Sequence, residues 1–314
     1  MFAGAQHCLL VTLRPGGGLE RASFSRLRLS DWLDVRADLV GRGPGETVGV
    51  EIVGGALDLR RAGFGKSGGG EGGPISLALD RLRVTDAVSL TGLRGEFSTR
   101  GGFSGRFDAA VNGGAPVSGL VVPDRDGTAG RITGPDGGAV LRWGGLYGPA
   151  TGGSLDLTLL PEARPGHYAG SLDVTGLRVR DAPAVAQLVD AISVVGLLQQ
   201  LDGKGLAFDR VLAEFNLTPD TLEITQSSAT GPGLGISLDG RYSLATRRMA
   251  FAGVVSPFYL VNSLGSFLTR PGEGLIGFNY TLGGTPEDPD VSVNPLSALT
   301  PGLFREIFRR PPPN

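Results

Sequence analysis

Cysteine is all but missing from this chain. Cys8 is the only one, so neither an intramolecular disulfide nor a multi-cysteine zinc or redox framework can form. Histidine is almost as scarce: His7 and His167 are the only two, and neither has a cysteine, a serine motif or a second histidine at ligand spacing. Apolar runs of about 18 residues, which a membrane-crossing helix needs, do not occur. Met1 to Gly18 also lacks the basic then apolar regions of a signal peptide. Excess charge is absent too. With 29 basic and 31 acidic residues the net charge is -2, and the basic stripe that draws proteins to nucleic acid is not there.

Motifs that carry chemistry fail in the same way. Gly65-Lys66-Ser67 suggests a phosphate loop, but Arg60 stands where that motif needs glycine, and more glycine follows instead of a helix N-terminus. Asp124-Arg125-Asp126-Gly127 opens like a calcium loop, yet its twelfth position is Pro135 and the segment reads as a tight turn. Glu287, Asp288 and Asp290 sit between prolines and read as surface turn acids. No G-x-S-x-G nucleophile elbow exists. The expectation is therefore a protein that is not an enzyme, with no catalytic residues, no metal site and no cofactor.

What the chain has in quantity is glycine, 53 of 314 residues, with 21 prolines and 40% apolar residues, which argues against disorder. It also has alternation. Apolar residues at every second position line one face of a strand. Leu33, Val35, Ala37 and Leu39 do this, as do Phe103, Phe107, Ala109 and Val111, then Leu155, Leu157 and Leu159, then Val211, Ala213, Phe215 and Leu217. The clearest run is Leu234, Ile236, Leu238, Tyr242 and Leu244 against Ser237, Asp239, Arg241 and Ser243. Leu9, Val11 and Leu13 start the chain in the same manner, as if it were the C-terminal portion of something longer. Between the runs stand Asn112-Gly113-Gly114, Asp126-Gly127, Pro135-Asp136-Gly137-Gly138, Asp202-Gly203 and Thr218-Pro219-Asp220, which read as turns and predict successive antiparallel pairing. Gly63 to Gly73 reads as a loop, with strands resuming at Ile75.

Three segments have helical spacing. Asp181 to Leu201 (about 181-201) carries Val185, Leu188, Val189, Ile192, Val195 and Leu198 on one side, with Asp181 placed as a cap and Pro183 in the first turn. Shorter helices are predicted near 257-268 and 301-310, the latter with Leu303, Phe304, Ile307 and Phe308 opposed to Arg305, Glu306, Arg309 and Arg310. That last helix suits a membrane surface or a sheet end equally.

Many one-sided strands must hide their apolar faces, because exposed apolar area costs about 25 cal/mol per Å2. A sandwich, a closed barrel and a folded sheet with an apolar groove all satisfy this, and periodicity alone leaves the three open. A resemblance goes further. Asp181-Ala182-Pro183 leading to Gly196-Leu197-Leu198, Gly203 to Phe208 (GKGLAF), Gly231 to Tyr242 (GPGLGISLDGRY), Val255 to Leu264 (VSPFYLVNSL), Gly272 to Phe278 (GEGLIGF) and Asp290 to Phe308 occur in that order. Together they make the region from about Tyr168 to Arg310 resemble the C-terminal region of AsmA-like proteins of the bacterial envelope, the group with the YhdP and TamB types, and most the YhdP type.

The resemblance implies a mainly β fold, a long curved antiparallel sheet folded into an apolar groove, divided into a repetitive β segment (1-165) and an AsmA-like region (166-314). It implies a periplasmic, non-catalytic carrier of phospholipid between inner and outer membranes, whose inner-membrane anchor would come from an upstream segment. Acyl chains would then lie on inward residues, with Phe103, Phe107, Ala109, Leu155, Leu157, Ala213, Phe215, Leu234, Ile236, Leu238 and Tyr242 as candidates. Leu303, Phe304, Ile307, Phe308, Arg309 and Arg310 would touch a membrane surface. Expected partners are phospholipid, a membrane surface, envelope proteins and no nucleic acid; the alternative is a closed β-scaffold for envelope assembly.

Overall fold

The computed structural model describes residues 9–60, 72–191, 205–257, 277–294 and 296–297. The fold is mainly β, with two short helices among the described residues. The chain forms two compact units, residues 1–134 with 143–146 and residues 135–142 with 147–314. Among the described residues no helix is long and apolar enough to cross a membrane.

The first unit holds β1 (Leu9–Leu13), β2 (Leu19–Leu29), β3 (Leu33–Val40), β4 (Gly49–Asp58), β5 (Pro74–Arg83), β6 (Ser89–Ser98), β7 (Ser104–Val111), β8 (Ala115–Asp124) and β9 (Gly127–Gly134). Each pairs with the next in sequence. The hairpins close where turn chemistry demands. Asn112 takes a positive φ, its Oδ1 accepts from the Ser89 amide at 2.8 Å, and Gly113 follows at φ 82. Asp124 pairs with Gly127 around the two-residue loop Arg125-Asp126, the tight turn expected there.

One pairing departs from the expected antiparallel succession. β4 and β5 are parallel, with Val50 opposite Ile75 and Leu57 opposite Leu82. A hairpin turn cannot join parallel neighbours, so the chain between Asp58 and Pro74 must return the length of a strand. The Gly63 to Gly73 segment, read as a loop, falls in this return and is largely outside the described residues.

The second unit begins with α1 (Gly137–Trp143), followed by β10 (Ala150–Thr151), β11 (Ser154–Pro161), β12 (Tyr168–Val179), α2 (Pro183–Ala191), β13 (Leu206–Leu217), β14 (Thr221–Thr230), β15 (Leu234–Ser243), β16 (Met249–Pro257), β17 (Phe278–Gly284) and β18 (Pro289–Asn294). From β11 to β18 every strand pairs antiparallel with the next, and β10 pairs with the end of β12. Pro135-Asp136-Gly137-Gly138 is a helix start instead of a turn. Asp136 caps it, its Oδ1 accepting from the Ala139 amide at 2.8 Å, and a Cβ on Gly138 would collide with the Thr151 backbone. These glycines serve close approach, a demand that looks like turn chemistry in sequence.

Helix α2 begins at Pro183 as the spacing predicts; its continuation past Ala191 lies outside the described residues, as do nearly all of 257-268 and the whole of 301-310. Leu188 and Val189 of α2 are buried in the unit's core with Leu155, Val174, Leu177, Val179, Leu206 and Phe208.

Candidate apolar binding face

Register turns the alternation of single strands into rows that run across each sheet. In the first unit Leu33, Leu57, Leu82, Leu90, Val111 and Ala115 are successive cross-strand partners. Beside this row lie Val35, Leu79, Leu93, Ala109 and Val117, all buried. Two further rows follow toward the other end of the strands. One runs Ala37, Ile52, Leu77, Gly95, Phe107, Gly119, and the other Leu39, Val50, Ile75, Phe97, Gly105, Val121. Here burial relaxes: Leu39, Val50, Ile52, Ile75, Leu77, Phe107 and Val121 are only half-buried. Ala37 and Phe97 in these rows are buried, and Leu57 and Leu82 of the first row are half-buried, so buried and half-buried apolar residues mix along this face. Register shifts in β2–β3, β3–β4 and β6–β7 keep apolar residues on this face although their sequence spacing changes parity, and such bulges bend a sheet.

The second unit has the same mixture, with Val211, Ala229, Ile236 and Phe278 half-buried in its first row and Phe251 and Tyr242 buried in the rows beyond. Its core row is Leu155, Val174, Val211, Ala229, Ile236, Val255 and Phe278. Farther along the strands come Leu159, Gly170, Phe215, Ile224, Gly240, Phe251, Leu282 and Val291, one residue from each of β11 to β18. A last row holds Pro161, Tyr168, Leu217, Leu222, Tyr242 and Met249. Leu157, Leu159, Leu172, Ala213, Phe215, Leu217, Leu222, Ile224 and Leu238 are half-buried.

The opposite faces are charged. Arg21 Nη1 on β2 meets Asp38 at 2.5 Å and Glu51 at 3.1 Å, and Arg26 grips Asp34 through Nε at 2.8 Å and Nη2 at 2.5 Å. The hydrogen bond from Arg26 holds the Asp34 carboxyl below the usual carboxylate range, and Arg60 does the same for Asp58. In the second unit Arg210 pairs with Asp173 and Arg241 with Glu223. Exposed pairs of this kind add about 0–1 kcal/mol each. They make the opposite face polar over much of its area, but around β15 to β17 that face is covered as well, since Ser237, Ala252, Val254, Ser256 and Asn279 are buried.

The groove candidates from the sequence fall on or beside the apolar faces, in two environments. Leu155 and Leu234 belong to the closed core near α2, and Ala109 and Tyr242 are buried as well. Phe107, Leu157, Ala213, Phe215, Ile236 and Leu238 are half-buried. Phe103 precedes β7 instead of lying in it, and its ring stacks on Phe97 with centroids 5.1 Å apart. Leu303, Phe304, Ile307, Phe308, Arg309 and Arg310 lie outside the described residues. Sequence reading missed Leu39, Val50, Ile75, Leu77, Leu172 and Ile224. Their alternation is present, but only cross-strand register shows that they continue the same rows.

His167 lies in the β11–β12 turn, where its amide donates to the Arg164 carbonyl at 3.1 Å. Glu287, of the β17–β18 turn, pairs with Arg247. Among the described residues no group of three or more His, Cys, Asp or Glu is placed to hold a metal ion. Compared with protein-family models, curated proteins and solved structures, the chain finds no match in any of the three.

Proposed function

We propose that this chain is a non-catalytic lipid carrier of the AsmA-like, YhdP-type kind, holding phospholipid acyl chains along the apolar rows of its sheets. The observation that carries the reading is the row from Leu159 through Phe215 and Ile224 to Val291, apolar across eight strands and half-buried except at the buried Phe251, on a sheet whose other face bears Asp173–Arg210 and Glu223–Arg241. At about 4.8 Å between strands such a row is roughly 33 Å long. That is close to the ~30 Å hydrocarbon thickness that two acyl chains fill tail to tail in a bilayer. A row of this length offers lipid tails continuous contact, while head groups stay at the strand ends.

The mechanism needs no bond-making. Acyl chains exchange apolar contacts row by row, and each methylene keeps about 0.8 kcal/mol of burial wherever it sits along the face. Movement along the rows is then nearly level in free energy, as transport between two membranes requires. The working place is the periplasm, between inner and outer membranes, with a membrane surface and envelope proteins as partners.

The test is mass spectrometry of lipid extracted from the purified chain. Phospholipid at a reproducible stoichiometry is the expected result. A lipid-free chain that also fails to take up phospholipid from vesicles would overturn the reading and favour the closed β-scaffold.

A further inference from the structure

Glycine inside a strand is unfavourable, by about 0.5–1 kcal/mol relative to alanine, and is kept where backbone or space requires it. Gly119 and Gly170 stand in the interiors of β8 and β12 without a positive φ, so their backbone does not demand glycine. The demand comes from across the strand. Gly119 is the direct partner of Phe107, and Gly170 of Phe215. A Cβ on Gly119 would overlap Cζ and Cε1 of Phe107, and one on Gly170 would overlap Cζ and Cε2 of Phe215. In both cases the three atoms nearest that position all belong to the ring. Each ring therefore lies down over its glycine, covering bare backbone.

Both pairs lie in the apolar rows described above, one in each unit, and both rings are half-buried. A phenylalanine that stands up from a sheet projects its ring into the space above it. One that lies over glycine presents a flat apolar surface and leaves that space free. We propose, resting on the lipid-carrying reading, that Gly119 and Gly170 are specificity-determining residues: by letting Phe107 and Phe215 lie flat they set the clearance above the rows and admit acyl chains.

The experiment compares phospholipid per protein, by extraction and mass spectrometry after exposure to phosphatidylethanolamine vesicles. The chains are wild type, Gly119→Ala, Gly170→Ala and the double variants Phe107→Ala/Gly119→Ala and Phe215→Ala/Gly170→Ala, each with its melting temperature. A lifted ring is expected to lower lipid content in the single glycine variants, about four-fold for each acyl methylene it displaces. The double variants, with no ring to lift, are expected to hold more lipid than the single glycine variants, though less than wild type because the ring's own contact with the acyl chain is gone. Unchanged lipid in both glycine variants, with a lipid-loaded wild type, overturns the inference and leaves the carrier reading standing. A loss that the double variants do not lessen also overturns it, because the glycines would then matter only to the sheet. Either pair decides the matter if one glycine variant fails to fold. A wild type that takes up no lipid removes the carrier reading itself, and this inference with it.

Discussion

The backbone amide of Gly55 donates to the carboxylate of Asp80 at 2.8 Å, across the one parallel strand pair of the first unit. Gly55 has φ 112 and follows a register shift between β3 and β4, so its amide has turned out of the regular ladder. Asp80 takes the place of the missing strand acceptor. Replacing Asp80 by Ala is expected to cost about 1 kcal/mol, read as a lowered urea midpoint with unchanged slope. Asp80→Asn keeps an acceptor and should lose less.

The two environments of the apolar face separate two substitutions that look alike in sequence. Ala109 is 9% exposed in the closed part of the first unit, so Ala109→Asp buries a carboxylate without a partner and should cost more than about 3 kcal/mol. Ala213 is half-buried in the row region of the second unit. Ala213→Asp should leave circular dichroism unchanged and lower phospholipid content. A fully loaded Ala213→Asp chain would count against acyl chains on that row.

Helix α2 is tied to the second unit by Leu188 and Val189, the latter fully buried. Leu188→Ala is expected to destabilise the second unit by about 2–5 kcal/mol. Amide hydrogen exchange should show the loss in β18, against which α2 packs, and in β12 and β13 of the same core, and protection in β6 to β8 should be unaffected.

Acid should weaken the charged face before the apolar one. Asp34 and Asp58 are held below their ordinary range by the hydrogen bonds of Arg26 and Arg60. A carboxyl depressed in the folded state adds stability above its unfolded value, about 3.9, and loses it as pH falls through the folded value. The melting temperature should therefore be flat from neutral pH to about 5 and fall below about 4. Asp58→Asn should make that fall shallower, and by little, because the pair is near the surface.

Much of this fold was legible in the residues, and the reasons differ by element. Leu33 to Leu39 announces a one-sided strand because one side chain in two must avoid water, a demand that acts within the strand, whereas Leu234 to Tyr242 alternates in the same way although Gly235 and Ser237 on its other face are buried too. Helix α2 shows because its apolar spacing is equally local. The parallel β4–β5 pair does not show, since direction of pairing depends on where the chain returns and not on which face is apolar. Helix α1 hid behind Asp136-Gly137-Gly138, whose residue types serve turns and helix starts alike. The site was half legible: Phe107 and Phe215 stood out as apolar, whereas Gly119 and Gly170 acquire meaning only from the rings across the strand.

The parallel seam has a kinetic consequence. A strand that pairs with its hairpin neighbour needs only a short loop to close, so β2 to β4 and β5 to β9 can each zip locally. Joining β4 to β5 requires first closing the longer return between Asp58 and Pro74, and nothing offsets that entropy until the two strands meet in register. The first unit should therefore fold as two fast blocks and one slower docking step, and shortening that return should speed the last step without moving the first two.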